Sequence, residues 1–350
     1  MDQYSAVDGC AGDWHLMHYG RFAVAGAGLV MLESAAVERR GRITRGCLGL
    51  YSDDNQYALQ KVVAFCRRHG SAKLGLQIAH AGRKSSTRIP TLGGAGSRAP
   101  EYLRPDEEPW RPCGCTAQPR APGWPPPEAL DSSGLRRVVA AHLDATRRAA
   151  EIGFDVLELV MGHGYLLHLF LSPLSNERDD EYGGSLENRL RFPLQVFEAV
   201  RAAWPADRPL LVRISTTDWV EGGWEMQDAI VLCRRLKDMG CSMVTASTGG
   251  LSLRQAIPLG EGHQVPFAEQ IRTQVGIPTM ATGMIFDPRH ADSVIRDKRA
   301  DLVAIARGML VDPNWAWRAA AVLGGSVDCP RQFVRGYRSR FHRGAAIPSW

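Results

Sequence analysis

Seven short apolar runs punctuate the chain, at 27–35 (AGLVMLESA), 73–79 (KLGLQIA), 154–160 (FDVLELV), 210–215 (LLVRIS), 243–248 (MVTAST), 277–282 (IPTMAT) and 301–306 (DLVAIA). They are rich in Val, Ile and Leu and nearly continuous, the pattern of strands buried on both faces. Longer amphipathic stretches lie between them. In 134–152, Leu135, Val138, Val139, Leu143 and Ala149 recur at helical spacing. Ser132 or Ser133 is expected to cap its start and Gly153 to close it. Residues 185–203, 226–239 and 287–298 read the same way. Gly240 stops the third of these helices, and Asp287-Pro288 opens the fourth in N-cap and N1 order.

Strands alternating with helices predict a parallel sheet. About seven such units without a break in composition point to a closed α/β architecture, a (β/α)8 TIM barrel over residues 1–325. No GxGxxG follows a strand, which argues against a dinucleotide-binding open sheet. The segment 84–131 interrupts the alternation. It is rich in Pro, Gly and Arg, carries Trp110 and Trp124, and follows the C-terminal end of a strand. That position over the barrel mouth reads as a lid. Residues 326–350 form a separate tail.

Composition narrows the function classes. The 350 residues are 45% hydrophobic and 23% charged, ordinary for a globular chain, and the net charge is only +5. The basic residues are scattered except for Arg331, Arg335, Arg338, Arg340 and Arg343 near the C-terminus. A nucleic-acid partner calls for a basic stripe, so none is expected. Eight irregularly spaced cysteines do not make a disulfide scaffold. Cys113 and Cys115 form a CxC pair with no partner at zinc-ligand spacing, so no metal is expected. No apolar run has transmembrane length and no signal peptide is visible, so the expected setting is cytoplasmic and off the membrane.

A barrel keeps its chemistry at the C-terminal ends of its strands. That rule selects Gln77 and His80, His163 and Tyr165, Arg213, Gly249 and Gly250, Gly283, and Arg307 with Gly308. Arg213 sits in an apolar strand and cannot shed its charge. It needs either a neighbouring carboxylate or a ligand edge that gathers negative charge. Gln77 offers a donor and an acceptor, and serves equally as a polar plug. The glycine turns after the sixth and seventh strands, and the turn at Ala306-Arg307-Gly308, let backbone N–H groups approach a phosphate. His163 and Tyr165 lie in Gly162-His163-Gly164-Tyr165, where an imidazole can donate a hydrogen bond and a phenol a proton. A lone histidine there is as readily structural.

At these residues the sequence resembles the Old Yellow Enzyme family, in its bacterial, thermophilic-like branch. The similarity runs from residue 1 to about Gly336, through MDQYSAVDG (1–9), DWHLMHYG (13–20), QIAHAGRK (77–84), GHGYLLHLFLSPLSNERDDEYGGSLENRLRF (162–192), VRISTTDWVEGGW (212–224) and DLVAIARGML (301–310). The resemblance implies non-covalent FMN, reduction by NADPH or NADH, and hydride delivery to the β-carbon of an electron-poor alkene. By match of position it implies flavin contacts at Met1, Asp2, Ala35, Gln77, Arg213, Gly250, Gly283, Ala306 and Arg307. Tyr165 matches the proton donor, His163 one of two side chains clamping the substrate carbonyl, and Tyr4 an aromatic residue over the substrate. Gln332–Gly336 resembles a tail whose arginine, here Arg335, enters a neighbouring subunit's site, implying a homodimer or homotetramer.

Three positions depart from the family pattern. The second clamp position is Val160, where the family has His, and valine cannot donate. Asp2 stands where the family has Cys or Thr beside the flavin, so a more reducing flavin is expected. The chain also begins where the family's first barrel strand ends, so the barrel is expected to lack that strand, with a gene start placed too late as the expected reason. Two other readings follow from these departures: a pathway-specific flavin dehydrogenase or isomerase, and a non-catalytic barrel that binds a small molecule or a partner chain.

Overall fold

The computed structural model describes residues 1–89 and 100–336. Seven parallel strands form one sheet in sequence order: β1 Leu29–Ala36, β2 Lys73–Ala79, β3 Val156–Met161, β4 Leu210–Ser215, β5 Met243–Ser247, β6 Thr279–Ala281 and β7 Leu302–Val303. All seven apolar runs are strands, and helices connect them, so the architecture is the TIM-barrel type. Each connection is long enough for a parallel crossover.

The register sorts the side chains. Gln77 lies opposite Glu158, Val160 opposite Arg213, and Arg213 opposite Thr245. These positions share the inner face. Leu157, Leu159 and Met161 alternate with them and belong to the main core, which also takes in apolar residues of the surrounding helices. Inside the barrel, toward the strand starts, a smaller cluster joins Val156, Leu211 and Met280 to the half-buried Leu29, Met31 and Met243.

The sheet does not close. β1 and β7 are its two ends, with no ladder between them among the described residues. The missing strand expected from the sequence thus corresponds to a real gap. Leu302 on β7 is exposed and Leu29 and Met31 on β1 are only half-buried, as an opened barrel requires. The upper end of β1 is covered differently: Ala36 accepts from the Leu50 N–H and donates to Leu48 O, both at 2.9 Å. Residues 2 and 3 also reach this strand, since the Gln3 N–H donates to Glu33 Oε2 at 2.9 Å.

The helix Ser132–Ile152 starts as its pattern predicts, with one correction. Asp131 is the cap, rather than Ser132 or Ser133: its Oδ1 accepts from the Gly134 N–H at 2.7 Å and from Ser133 Oγ at 2.7 Å. A carboxylate there also faces the positive end of the helix. Gly153 ends it at φ +92, and Asp287 caps Pro288–Arg296 through the Arg289 N–H, both as expected. The helices Asp13–Ala23, Asp53–His69 and Val265–Val275 complete the outer layer. The segment 84–131 carries a two-residue ribbon, Cys113–Gly114 against Glu128–Ala129. Part of it, 90–99, lies outside the described residues, as do 337–350 with Arg338, Arg340 and Arg343.

Candidate active site

The mouth of the barrel is organised around the turn after β3. His163 has φ +58 and Gly164 φ +69, a left-handed pair that turns the chain sharply from strand to helix. A non-glycine residue there is strained, and such strain persists only where surrounding bonds over-determine it. Those bonds are present. Ser215 Oγ accepts from the His163 N–H at 2.9 Å and donates to Gly249 O at 2.8 Å. His168 Nδ1 accepts from the Gly164 N–H at 2.9 Å, while its Nε2 faces buried Asp218 at 3.1 Å. Asp218 in turn accepts from Ser172 Oγ and the Trp224 N–H. The run 162–192 thus reads as one hydrogen-bonded support for two side chains.

Those side chains are His163 and Tyr165, with ring centroids 6.1 Å apart. The His163 Nε2 pairs with Ser247 Oγ at 2.9 Å. Burial, reinforced by the charges of Arg213 and Lys84, drives its pKa well down, so the ring is neutral and has one N–H to give. Tyr165 is held protonated: burial pushes its pKa well up, and negative charge at Asp2 adds to the effect. Tyr4, expected from the sequence to lie over the substrate, also has positive φ, +52. Burial and Asp2 raise its phenol as well.

Below these rings lies the polar interior. Arg213 is half-buried, and its Nε is sealed from solvent without a hydrogen-bond partner among the described residues. Of the two readings for Arg213, the one that needs a direct ion pair finds none among the described residues. Asp2 stands within electrostatic reach, half-buried at the mouth, and accepts from the Ser34 N–H. Burial raises the Asp2 pKa, and the terminal amine, Ser34 and Arg213 only partly oppose this. Gln77 gives an amide hydrogen to Glu158, which also accepts from Thr245 Oγ1. The plug role for Gln77 is therefore real, and it leaves the amide's other groups for a ligand. Val160 is buried on the same inner face beside Arg213, and offers no donor.

The glycines serve two purposes. Gly283 has φ +110, and its carbonyl accepts from the Gly262 N–H at 2.7 Å. A Cβ on it would come 3.0 Å from Gln264 N, so a side chain would crowd that main-chain N–H. Ala306 and Arg307 are exposed at the start of Arg307–Val311. Gly250 (φ +93) packs against the His163 backbone, where a Cβ would meet Cα at 2.6 Å. Its first task is therefore to let the two turns touch. Ala35 is buried in register with Ile78 on the helix-facing side, so only its main chain faces the mouth. Met1 is exposed at the rim, and Arg335 is exposed on the tail segment, where Phe333 packs on Trp317. Arg335 takes no part in the mouth of its own chain.

Two cations escaped the sequence reading. Lys84 donates to His163 O and lies 5.7 Å from the Tyr165 ring. Burial drives its pKa well down, with Arg120 and Arg83 adding to the effect. Its place at the end of QIAHAGRK was the available signal. Arg120 comes from the segment 84–131 and donates to Thr87 Oγ1. Burial lowers it to about 10, against the attraction of Tyr165 and Tyr4. Nothing local in the sequence marks it. Elsewhere, Cys113 Sγ lies 3.6 Å from His80 Nε2, which pairs with Glu38 at 2.8 Å. His80 Nδ1 accepts from the Gly82 N–H, so Nε2 carries the proton. The trio is a hydrogen-bonded cluster whose members spacing could not bring together.

An arginine whose buried Nε has no hydrogen-bond partner among the described residues, a neutral imidazole, a protonated phenol and glycine turns at the strand ends suit a phosphorylated, electron-accepting ring, as a flavin-dependent oxidoreductase needs. The family model of NADH:flavin oxidoreductase / NADH oxidase enzymes matches residues 2–324, and the chain belongs to that family. FMN is its cofactor and a nicotinamide its reductant. An NADPH dehydrogenase of Geobacillus thermodenitrificans is 39% identical over 331 residues, covering 95% of this chain and 90% of that protein. A morphinone reductase structure superposes with a TM-score of 0.74 at 25% identity, covering 94% of this chain and 85% of that one. A 2-naphthoyl-CoA reductase complex gives 0.80 at 23% identity, a likeness of fold; it covers 93% of this chain, which spans 49% of that one. No helix among the described residues is long and apolar enough to cross a membrane.

Proposed function

We propose that this barrel reduces an activated C=C bond, that of an α,β-unsaturated carbonyl or related compound, at the expense of NADPH or NADH. Bound FMN would supply the two-electron relay between the nicotinamide and the acceptor. Arg213 would hold its pyrimidine edge, assisted by Gln77, Asp2 and the main chain of Met1 and Ala35. The N–H groups around Gly250, Gly283, Ala306 and Arg307 would hold its phosphate. His163, neutral and with one N–H, would hydrogen-bond the acceptor's oxygen and draw electrons from the alkene. Tyr4 would cover the substrate. The alkene's β-carbon gains the hydride that the nicotinamide loses, and its α-carbon takes a proton from the Tyr165 hydroxyl, which solvent then restores.

The observation that carries this reading is the convergence of His163 and Tyr165 on one face of the mouth, above an arginine whose buried Nε lacks a partner. Val160 leaves the clamp with one imidazole, which favours a dedicated substrate over simple enones. The further assignments are a barrel over 1–325 with 84–131 as its lid, and a tail 326–350 that places Arg335 in a neighbouring subunit of a homodimer or homotetramer. Eight cysteines that are all thiols support a reducing, cytoplasmic setting. Tyr165→Phe tests the role of the phenol. Rapid-mixing kinetics should show alkene reduction slowed roughly 10²–10⁴-fold, the range for a general acid, with flavin reduction by NADPH little changed. Equal losses in both half-reactions would remove Tyr165 from proton transfer.

A further inference from the structure

Beside the mouth lies a cavity of about 780 Å³ that the reaction described above does not use. Tyr4 forms its inner wall, and four arginines, Arg39, Arg40, Arg42 and Arg45, line it with Trp110. Only two acids face it, Asp8 and Glu108. Both are well exposed: Asp8 pairs with Arg39 at 2.9 Å and with Arg42 at 3.5 Å, and Glu108 pairs with Arg45 at 3.0 Å. Arg45 Nη2 also donates to the Glu107 and Glu108 carbonyls, and Arg40 pairs with Glu128 at 2.8 Å. Exposed pairs of this kind are weak. A guanidinium has five donors, so Arg39, bonded through Nη2 alone, and Arg45, whose bonds all run through Nη2, keep N–H groups for a ligand. The lining is thus net positive.

Trp110 gives the cavity a fixed plate. Its indole N–H donates to Arg40 O at 2.9 Å, and its own N–H donates to Ser86 Oγ at 3.0 Å. The Arg42 guanidinium lies 5.3 Å from its ring centre. A rigid aromatic plate beside several arginines suits a purine carrying a phosphate monoester. The plate stacks the base, and the guanidinium forks match the phosphate oxygens. The volume falls in the range of ordinary ligand sites and exceeds what a lone anion needs.

We propose that this cavity binds the adenosine 2′-phosphate end of NADPH, with Arg39 and Arg45 reading the phosphate and Trp110 the base. The proposal rests on the reductase reading above and adds the side chains that choose between the two nicotinamides. Tyr4 belongs both to the cavity and to the substrate face, so a dinucleotide seated here reaches the mouth. Arg39 and Arg45 are open to solvent, while Arg42 is buried and bonded to Arg39 O, so it shapes the wall.

Calorimetry on the FMN-loaded protein tests this with 2′,5′-ADP, 3′,5′-ADP and 5′-AMP as probes. The 2′,5′-ADP should bind tightest, weaken with added salt, and lose about tenfold or more in R39Q/R45Q, as expected for a lost charge-assisted bond. In the same variant the KM for NADPH should rise more than that for NADH, while R68Q, outside the cavity, should keep the wild-type ratio. Equal binding of 5′-AMP and 2′,5′-ADP, tighter binding of 3′,5′-ADP (which would assign the cavity to a coenzyme-A-type tail), or an unchanged affinity in R39Q/R45Q would each overturn the proposal. A flavin that neither nicotinamide reduces would instead sink the reductase reading, whatever the cavity binds.

Discussion

Asp2 shows how one side chain can set the chemistry of a whole site. Burial makes its charged form costly, yet the terminal amine, the Ser34 N–H and Arg213 all favour that form. Above its raised pKa, the carboxylate opposes electron uptake by an adjacent flavin. Its removal should therefore make the flavin easier to reduce. Potentiometry at alkaline pH should place the two-electron midpoint of Asp2→Cys above wild type, by roughly 30 mV for each 1.4 kcal/mol of repulsion relieved. Equal midpoints would mean that Asp2 turns away from the ring. Val160 raises a related point. It lies beside Arg213, where a second imidazole would have been carried on the same inner face. Residues of this kind were legible in the sequence because strand register fixes which side chains share a face. Arg120 was not legible, because its route to Tyr165 and Tyr4 runs through an irregular segment with no period to follow.

Among the elements, the turns at strand ends carry more of the function than the strands. Gly283 at φ +110 sits against the Gln264 N–H, where an alanine would be both strained and crowded. Such strain costs about 1–3 kcal/mol. Gly283→Ala should therefore weaken FMN binding roughly tenfold or more, read by fluorescence recovery on dilution, while far-ultraviolet circular dichroism stays at wild type. An unchanged FMN affinity would detach this turn from the phosphate. Strands were the easiest elements to read, since all seven are apolar runs and the central ones are buried on both faces. The helices Asp13–Ala23 and Asp53–His69 were not read, although Ser52 caps the second by accepting from the Asn55 N–H. The cap of Ser132–Ile152 was misplaced by one residue because three adjacent positions, Asp131 to Ser133, all carry capping oxygens, and only geometry selects Asp131. The Cys113–His80–Glu38 cluster was invisible because its members come from three separate segments, the ribbon Cys113–Gly114 and the turns after β1 and β2.

The molecule as a whole should respond to acid through its buried histidines. Burial lowers His18 and His142 to about 4, and also lowers His15 and His163. An unfolded histidine binds its proton near pH 6.5. Between about 6.5 and 4 the unfolded chain therefore takes up protons at four sites that the native protein leaves empty. Stability from these groups is complete above pH 6.5 and is lost as pH falls toward 4, by roughly 1.4 kcal/mol per pH unit for each. Glu33, raised to about 7 by burial and by Asp2, works in the opposite direction along with Asp2 itself. Against its burial, Cys113 and Glu38 raise His80 to about 9, so it also favours the native state in acid. That contribution is nearly complete by pH 6.5, so from there downward two groups stand against four and the net effect is acid-destabilising. Thermal melts should show Tm falling steadily from pH 6.5 to 4.5, and a Tm that rises or stays flat over that interval would contradict the burial of these rings. The gap between β1 and β7 lies at this scale too. Its two sheet ends are marked by the exposure of Leu302 and the half-burial of Leu29 and Met31.

The central claim is that Arg213, Gln77 and the glycine turns together make a flavin site at the barrel mouth that a nicotinamide can reduce. The most direct test is the visible spectrum of the purified protein under nitrogen after loading with FMN, before and after NADPH. The account predicts a bound, yellow chromophore that bleaches on NADPH addition and whose retention falls sharply in Arg213→Leu. A protein that takes up no FMN, or binds it equally well without the Arg213 charge, would contradict it.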